Sequence, residues 1–317
     1  MICHCCGAQL ALENEPILYE GNYLCHHCWV AITGVTCCDC QCVRRVNQMV
    51  YFNGFPYCIR CAKKPNWKMG KDVIGHTFDE IGSKRRYGVE LEVHQCSHHH
   101  RLRGKTCFGA KDDGTRGVSK EFVSPILQGD EGLRAIRDLC DNSKGFTVNH
   151  TCGYHLHIDC TDLTEDQCKS VALAYNMTYE VWASFVNQKR RDNRYCKMHE
   201  WSYYDILNYS WNNLLNNIYT RYTWANWDAY KLHHTLEIRL HPGTLDKGKI
   251  INWVKAHLRF VDYFLKFTPQ QTYNMLNDLN NDQLFEFTCD IWNDSKLSKY
   301  YKRRSKHYGL AQKPVEV

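Results

Sequence analysis

Three short stretches of the chain set a charged or imidazole side chain at every second position between aliphatic ones: Val89-Glu90-Leu91-Glu92-Val93, Tyr154-His155-Leu156-His157-Ile158 and Leu236-Glu237-Ile238-Arg239-Leu240. Hard cations such as Mg²⁺ prefer carboxylate oxygens and leave coordination positions for phosphate. Glu90, Glu92 and Glu237, with Glu121 added from Lys120-Glu121-Phe122-Val123, are therefore suited to Mg-ATP. Arg239, two residues beyond Glu237, could neutralise a transferring phosphoryl group. His-x-His beside carboxylates also serves hydrolytic zinc or iron. Charged residues on an ordinary half-exposed sheet would show the same alternation.

What must position these residues is a set of β-strands. Side chains alternate between the two faces of a strand, so each stretch buries its aliphatics on one side and shows its polar pair on the other. Helices should cover the aliphatic side. Residues 130–142 carry Leu133, Ile136, Leu139 and Cys140 at helical spacing, and Thr164-Glu165-Asp166-Gln167 reads as a capping box for a helix reaching about residue 187. Residues 249–267 repeat the helical pattern, and shorter helices are expected over 269–305. The tryptophans Trp201, Trp211, Trp224 and Trp227 read as packing. The predicted class is α+β: a mixed, mostly antiparallel sheet with helices on one side.

The chain has 317 residues, enough for one large domain and a small one. Eleven of its nineteen cysteines fall within the first 61 residues, which divides the chain in two. Cys3-x2-Cys6 and Cys25-x2-Cys28 are followed by Cys37-x2-Cys40 and Cys58-x2-Cys61, an internal repeat in which Tyr19 and Tyr51 precede the second doublet of each half. Each half supplies four thiolates, the tetrahedral set of one closed, structural Zn²⁺ site. The pattern resembles tandem zinc ribbons or a LIM-type module, although the eight-residue spacer between halves exceeds the two of LIM modules. Residues 1–65 are thus expected as a two-zinc domain, 66–86 as a linker and 87–317 as the larger domain. The start lacks the basic and apolar runs of a signal peptide, and no apolar run approaches a membrane span. The expectation is a cytoplasmic protein with no membrane partner. A net charge of +6 permits nucleic-acid contact through the zinc module without demanding it.

Neither a Gly-x-Ser-x-Gly nucleophile elbow nor a Gly-x-Gly-x-x-Gly turn is present, and the phosphate-loop glycine that Gly104-Lys105-Thr106 would require is His99. The order of the alternating stretches is more informative. Tyr87-Gly88-Val89-Glu90-Leu91-Glu92, Asp112-Asp113-Gly114-Thr115, Lys120-Glu121-Phe122-Val123-Ser124-Pro125, Cys152-Gly153-Tyr154-His155-Leu156-His157 and Leu236-Glu237-Ile238-Arg239-Leu240-His241-Pro242-Gly243 together resemble the glutamine synthetase-like carboxylate-amine ligase superfamily, and within it the putative amidoligase family. The resemblance covers residues 87–267 and leaves the cysteine-rich start outside. It implies a glutamine synthetase-like fold and amide or isopeptide formation from a carboxylate and an amine, through an acyl phosphate made with ATP.

The resemblance also implies roles. Glu90, His155 and Glu237 share one Mg²⁺, Glu92 and Glu121 hold a second, His157 lies near the nucleotide phosphates, and Arg239 contacts the transferred phosphoryl group. Among the other basic residues, Arg194 and Arg221 are the candidates for nucleotide contact, and Asp113 is either a support for the metal or a turn residue. The histidines His98-His99-His100 are expected to be exposed. The zinc module would recruit a partner, a protein or peptide carrying the carboxylate or amine. Two competing expectations are a metal-dependent hydrolase built on His155-x-His157 and a non-enzymatic zinc-finger adaptor or nucleic-acid binder.

Overall fold

The computed structural model describes residues 67–96, 99–113, 117–198 and 201–309. Within residues 1–66 it describes only Cys3, a few residues around 34 and 48, and three antiparallel strand pairs: Ile17–Tyr19 with Asn22–Leu24, Val35–Thr36 with Val43–Arg44, and Met49–Phe52 with Phe55–Cys58. The first and third pairs fall at matching points of the cysteine repeat, just before Cys25 and ending on Cys58. Of the expected zinc ligands, Cys3 is buried. Cys6, Cys25, Cys28, Cys37, Cys40 and Cys61 lie outside the described residues.

The larger part of the chain is organised by six strands: β1 Tyr87–Val93, β2 Gly109–Lys111, β3 Lys120–Val123, β4 Gly153–Asp159, β5 Ala225–Asn226 and β6 Thr235–Pro242. Their order across the sheet is β5-β6-β4-β1-β3-β2. All pairings between these strands are antiparallel, so the expected mixture reduces to isolated parallel bridges such as Val73 with Leu127. On one face Val89, Leu91, Val93, Leu156, Ile158, Leu236, Ile238 and Leu240 are all buried to 1% exposure or less. Each such side chain contributes about 1.5–3 kcal/mol by leaving water. A one-residue slip of any pairing would exchange this set for the charged one, so the register is strongly specified.

Eleven helices are described: α1 Gly129–Asn142, α2 Glu165–Met177, α3 Tyr179–Ala183, α4 Gln188–Arg191, α5 Tyr203–Asn208, α6 Trp211–Asn216, α7 Asp228–His233, α8 Lys247–Phe264, α9 Pro269–Leu276, α10 Asn281–Ile291 and α11 Ser295–Tyr308. The apolar face of the sheet packs on α1, α2 and α8. Tyr154 donates its hydroxyl to the Ile250 carbonyl of α8 at 3.4 Å, and Gly132 of α1 sits against the Tyr87 hydroxyl. The capping box at Thr164 is present, with the side chains of Thr164 and Gln167 bonding each other's backbone. The helix it starts ends at Met177, well short of residue 187. Thr178 turns its hydroxyl back to the Ala174 carbonyl at 2.7 Å and accepts the Trp182 indole at 3.2 Å, which breaks the run between α2 and α3.

Trp201, Trp211, Trp224 and Trp227 are buried as expected, with Trp211 edge-on to Trp227 at 4.8 Å. His99, by contrast, is buried and stacked on Trp67 at 5.7 Å, while His100 is exposed. Residues 67–86, expected as a linker, run along the body. Trp67 exchanges backbone bonds with Ala110 on the edge strand β2 and donates its indole N–H to the Phe108 carbonyl at 2.9 Å. A side chain at Gly109 would come within 2.7 Å of the Met69 nitrogen, so this approach requires glycine there. Among the described residues no helix is long and apolar enough to cross a membrane.

Candidate active site

Antiparallel pairing sets the polar side chains of different strands directly opposite one another on the second face. His155 of β4 stands across from Glu90 of β1, and His157 stands between Gly88 and Glu237 of β6. One pair further along, Glu92 faces Glu121 of β3, and Glu121 in turn faces Lys111 at the end of β2. Asn226 of β5 completes the opposite edge, facing Glu237. Four of the six strands thus supply Glu90, Glu92, Glu121, His155, His157, Glu237 and Arg239 to one floor.

Distances confirm the convergence of this group. His155 Nδ1 lies 3.2 Å from Glu90 Oε2 and 3.3 Å from Glu237 Oε1, while its Nε2 lies 3.7 Å from Glu92 Oε1. Glu92 Oε2 accepts the Gly153 backbone N–H at 2.6 Å. Asn226 donates its amide to Glu237 Oε2 at 2.7 Å, and Arg239 pairs with Oε1 of the same carboxylate. Among the described residues, three sets of ligand atoms, each within 4.8 Å of one another, could hold a metal ion: Glu90, Glu121 and His155; Glu90, His157 and Glu237; Glu92, Asp113 and Glu121. Asp113 therefore joins the carboxylates rather than serving only as a turn residue.

The floor is more enclosed than a half-exposed sheet. Glu92, Glu121, His155, Asn226 and Glu237 are all buried. Two short helices reach this part of the sheet: His233 of α7 meets the His157 ring edge-on at 6.4 Å, and Arg190 of α4 reaches the strand backbone.

Enclosure and neighbours perturb the acids in opposite directions. Burial and the adjacent Glu90 charge push the Glu121 carboxyl up to about 9, since two touching carboxylates resist ionising together. Burial also opposes ionisation of Glu90 and Glu237. It is outweighed at Glu90 by the His155 hydrogen bond and the pull of the His155 and His157 rings, and at Glu237 by the His155 and Arg239 charges, so both are held below the usual carboxylate range. For His157 burial favours the neutral ring, but Glu90 and Glu237 raise it. Its Nε2 is buried with Glu90 and Glu237 oxygens at 3.7 and 3.9 Å, beyond hydrogen-bond length. An anionic floor of hard oxygens with an unsatisfied imidazole nitrogen fits a divalent cation.

Arg239 sits at an irregularity. Tyr154 pairs with His241 but Leu156 pairs with Ile238, so Arg239 and Leu240 together oppose His155, a β-bulge. The carbonyls of these two residues are held by Arg190, which donates to Arg239 O at 2.6 Å and Leu240 O at 3.3 Å; the Cys196 thiol also donates to Arg239 O at 3.1 Å. The bulge lets Glu237 and Arg239 face the cavity while His241, two residues on, turns into the core against Tyr154 and Trp253. Gly153 belongs to the same knot. A Cβ there would lie 2.8 Å from both Arg190 Nη2 and His155 Nε2.

Arg194 and Arg221 are not brought to the carboxylates. Both are exposed, and each guanidinium lies over a neighbouring ring, Tyr195 at 4.8 Å and Tyr222 at 5.6 Å. Those two rings meet edge-on at 4.9 Å, and the Tyr195 carbonyl accepts from Arg239 Nε at 3.4 Å, so the arginines stand on a rim joined to Arg239. Sequence reasoning passed over Lys111, which reads as part of a turn, and Arg190, which is one of several cations in Lys189-Arg190-Arg191. Asn226, which the family resemblance groups with Arg221 as a phosphate contact, bonds Glu237 in the structure. No local signal separates Arg190 from its neighbours; the fold alone selects it.

A family model described as "Putative amidoligase enzyme" matches residues 55–261, most of the chain and all six strands of the sheet. No curated protein matches. Among solved structures, a bifunctional glutathione synthetase from Pasteurella multocida is similar, with 10% identity and a TM-score of 0.42 over 71% of this chain and 47% of that one. The chain spans about half the length of that protein.

Proposed function

Because the chain belongs to the putative amidoligase family, we propose that it is an ATP-dependent carboxylate-amine ligase. The observation that carries this reading is the convergence of Glu90, Glu92, Glu121, His155, Glu237 and Arg239 on one enclosed face of the sheet. A substrate carboxylate oxygen attacks the γ-phosphorus of ATP, the bond to ADP breaks, and an acyl phosphate forms. The amine nitrogen then attacks the acyl carbon, the bond to phosphate breaks, and amide, inorganic phosphate and a proton leave.

Phosphoryl transfer needs little covalent help from the protein and much positioning and charge neutralisation. Glu90, His155 and Glu237 would hold one Mg²⁺, and Glu92 with Glu121 a second, with Asp113 beside that pair. Such ions would offset the charge that develops on the phosphate oxygens. Asn226 and Arg239 orient Glu237 by bonding one oxygen each. Arg239 directs its remaining N–H groups to the transferred phosphoryl group, and His157 presents Nε2 toward the nucleotide phosphates. Arg194 and Arg221 on the rim contact the nucleotide. The short helices limit water, which would otherwise hydrolyse the acyl phosphate. The cysteine-rich start would hold two structural Zn²⁺ and recruit the partner that carries the carboxylate or the amine.

The test is ADP release with Mg-ATP against pooled amino acids, peptides and proteins, followed by the mass of the product. Glu237→Ala and Glu90→Ala should each lower turnover at least ~100-fold, the loss of a major electrostatic contributor, and leave zinc at two per chain. Wild-type turnover in either variant would remove the assignment of these carboxylates.

A further inference from the structure

One cation on the floor has no part in the chemistry above. Lys111 ends the edge strand β2 opposite Glu121, and its Nζ lies 2.8 Å from Glu121 Oε2 and 3.9 Å from Glu90 Oε1. Glu90 and Glu121 form one potential metal set with His155, and Glu121 forms another with Glu92 and Asp113. A single ammonium therefore sits on the carboxylate that two candidate ion positions share.

An ammonium 2.8 Å from Glu121 and a divalent cation on the same carboxylate would repel each other across a few ångströms. Which one can leave is written in their surroundings. The Lys111 side chain is 52% exposed, whereas that of Glu121 is 6% exposed. The lysine carries its charge on a flexible four-carbon stem and can swing into water; the carboxylate has nowhere to go. Without a divalent ion, the lysine offsets negative charge at this end of the floor.

We propose that Lys111 is a tethered cation that closes the carboxylate floor in the absence of a divalent ion, is displaced when one binds, and then offers its ammonium to the phosphates of the arriving nucleotide. This rests on the Mg-ATP reading of the site. The consequence is a coupling between the two ligands. A divalent ion arriving alone must evict Lys111 into water, while an ion arriving with nucleotide gives the evicted ammonium a new anionic partner, so each ligand binds tighter in the presence of the other.

The full-length protein tests this with Mn²⁺ as the probe, its free concentration read from its electron paramagnetic resonance signal, with and without a non-hydrolysable ATP analogue. Without the analogue, Lys111→Gln should bind Mn²⁺ roughly ten-fold tighter than wild type, and Lys111→Arg, which keeps the charge, within about two-fold of it. With Mn²⁺ present, the affinity of Lys111→Gln for the analogue should fall about ten-fold, the loss of one charge-assisted contact. Mn²⁺ affinity that is unchanged or weaker in Lys111→Gln would overturn the proposal while leaving the Mg-ATP reading intact. Failure of the wild type to bind Mn²⁺ at all would remove both.

Discussion

Replacing Arg190 with methionine is the perturbation that most directly tests how the floor is held. Arg190 is buried, and its guanidinium serves the carbonyls of the two bulge residues, Arg239 O and Leu240 O. Methionine fills comparable space but donates nothing. A buried carbonyl without a donor costs about 1–3 kcal/mol, and Arg239 O keeps the weak Cys196 thiol. The expected loss of stability is therefore roughly 2–4 kcal/mol, read as a shift in urea midpoint at constant slope. Arg190→Lys retains one donor and should lose about half as much. At a temperature where both variants are folded, the second effect appears. If the bulge relaxes toward regular pairing, Arg239 leaves its place beside Glu237, and a displacement near 1 Å costs on the order of 100-fold in turnover. Wild-type stability together with wild-type turnover in Arg190→Met would refute the idea that this arginine sustains the bulge. A stability loss with undiminished turnover would refute the link from bulge to Arg239.

Gly153→Ala would place a methyl group 2.8 Å from Arg190 Nη2 and His155 Nε2; we expect turnover to fall by at least ~10-fold, with divalent-ion affinity falling alongside it in the Mn²⁺ titration. The pH dependence of stability should expose two core histidines. Burial holds His241 down to about 3 and His257 well below the ordinary imidazole range. Their folded pKa values lie below the unfolded value of ~6.5, so the stability they permit is complete above pH 6.5 and is lost as pH falls toward 3, at about 1.4 kcal/mol per pH unit for each ring. Urea midpoints between pH 6.5 and 5 should track this slope, and His241→Asn should roughly halve it; a flat profile in the wild type would contradict the buried, neutral assignment.

Much of the floor was legible because a strand buried on one side writes itself with period two. Glu90, Glu92, His155, His157 and Glu237 were placed on a common face by counting alone, and cross-strand register then set them opposite one another. Helix starts were legible for a similar reason, since the side chains of Thr164 and Gln167 satisfy backbone groups within their own turn. What escaped depends on contacts distant in sequence. The bulge at Arg239 and Leu240 adds one residue to a run that still alternates perfectly on paper, which would send His241 into the cavity instead of the core. The break at Thr178 needs the Trp182 indole, and the burial of His99 needs Trp67. Lys111 belongs to a strand of three residues, too short for alternation to register.

The backbone bonds between Trp67 and Ala110 have a bearing on how substrates arrive. Ala110 precedes Lys111, so the chain enters the body about one strand spacing, ~4.8 Å, from the edge strand that ends beside Glu121. Everything before residue 67 is therefore leashed at the lysine end of the floor. A leash converts a second encounter into an intramolecular one, and its benefit is set by reach rather than by contact strength. Were the cysteine-rich start to grip a substrate, as proposed above, that group would be presented to the carboxylates at a raised local concentration, and lengthening the chain around residue 66 should slow such a substrate while leaving a small, freely diffusing one untouched.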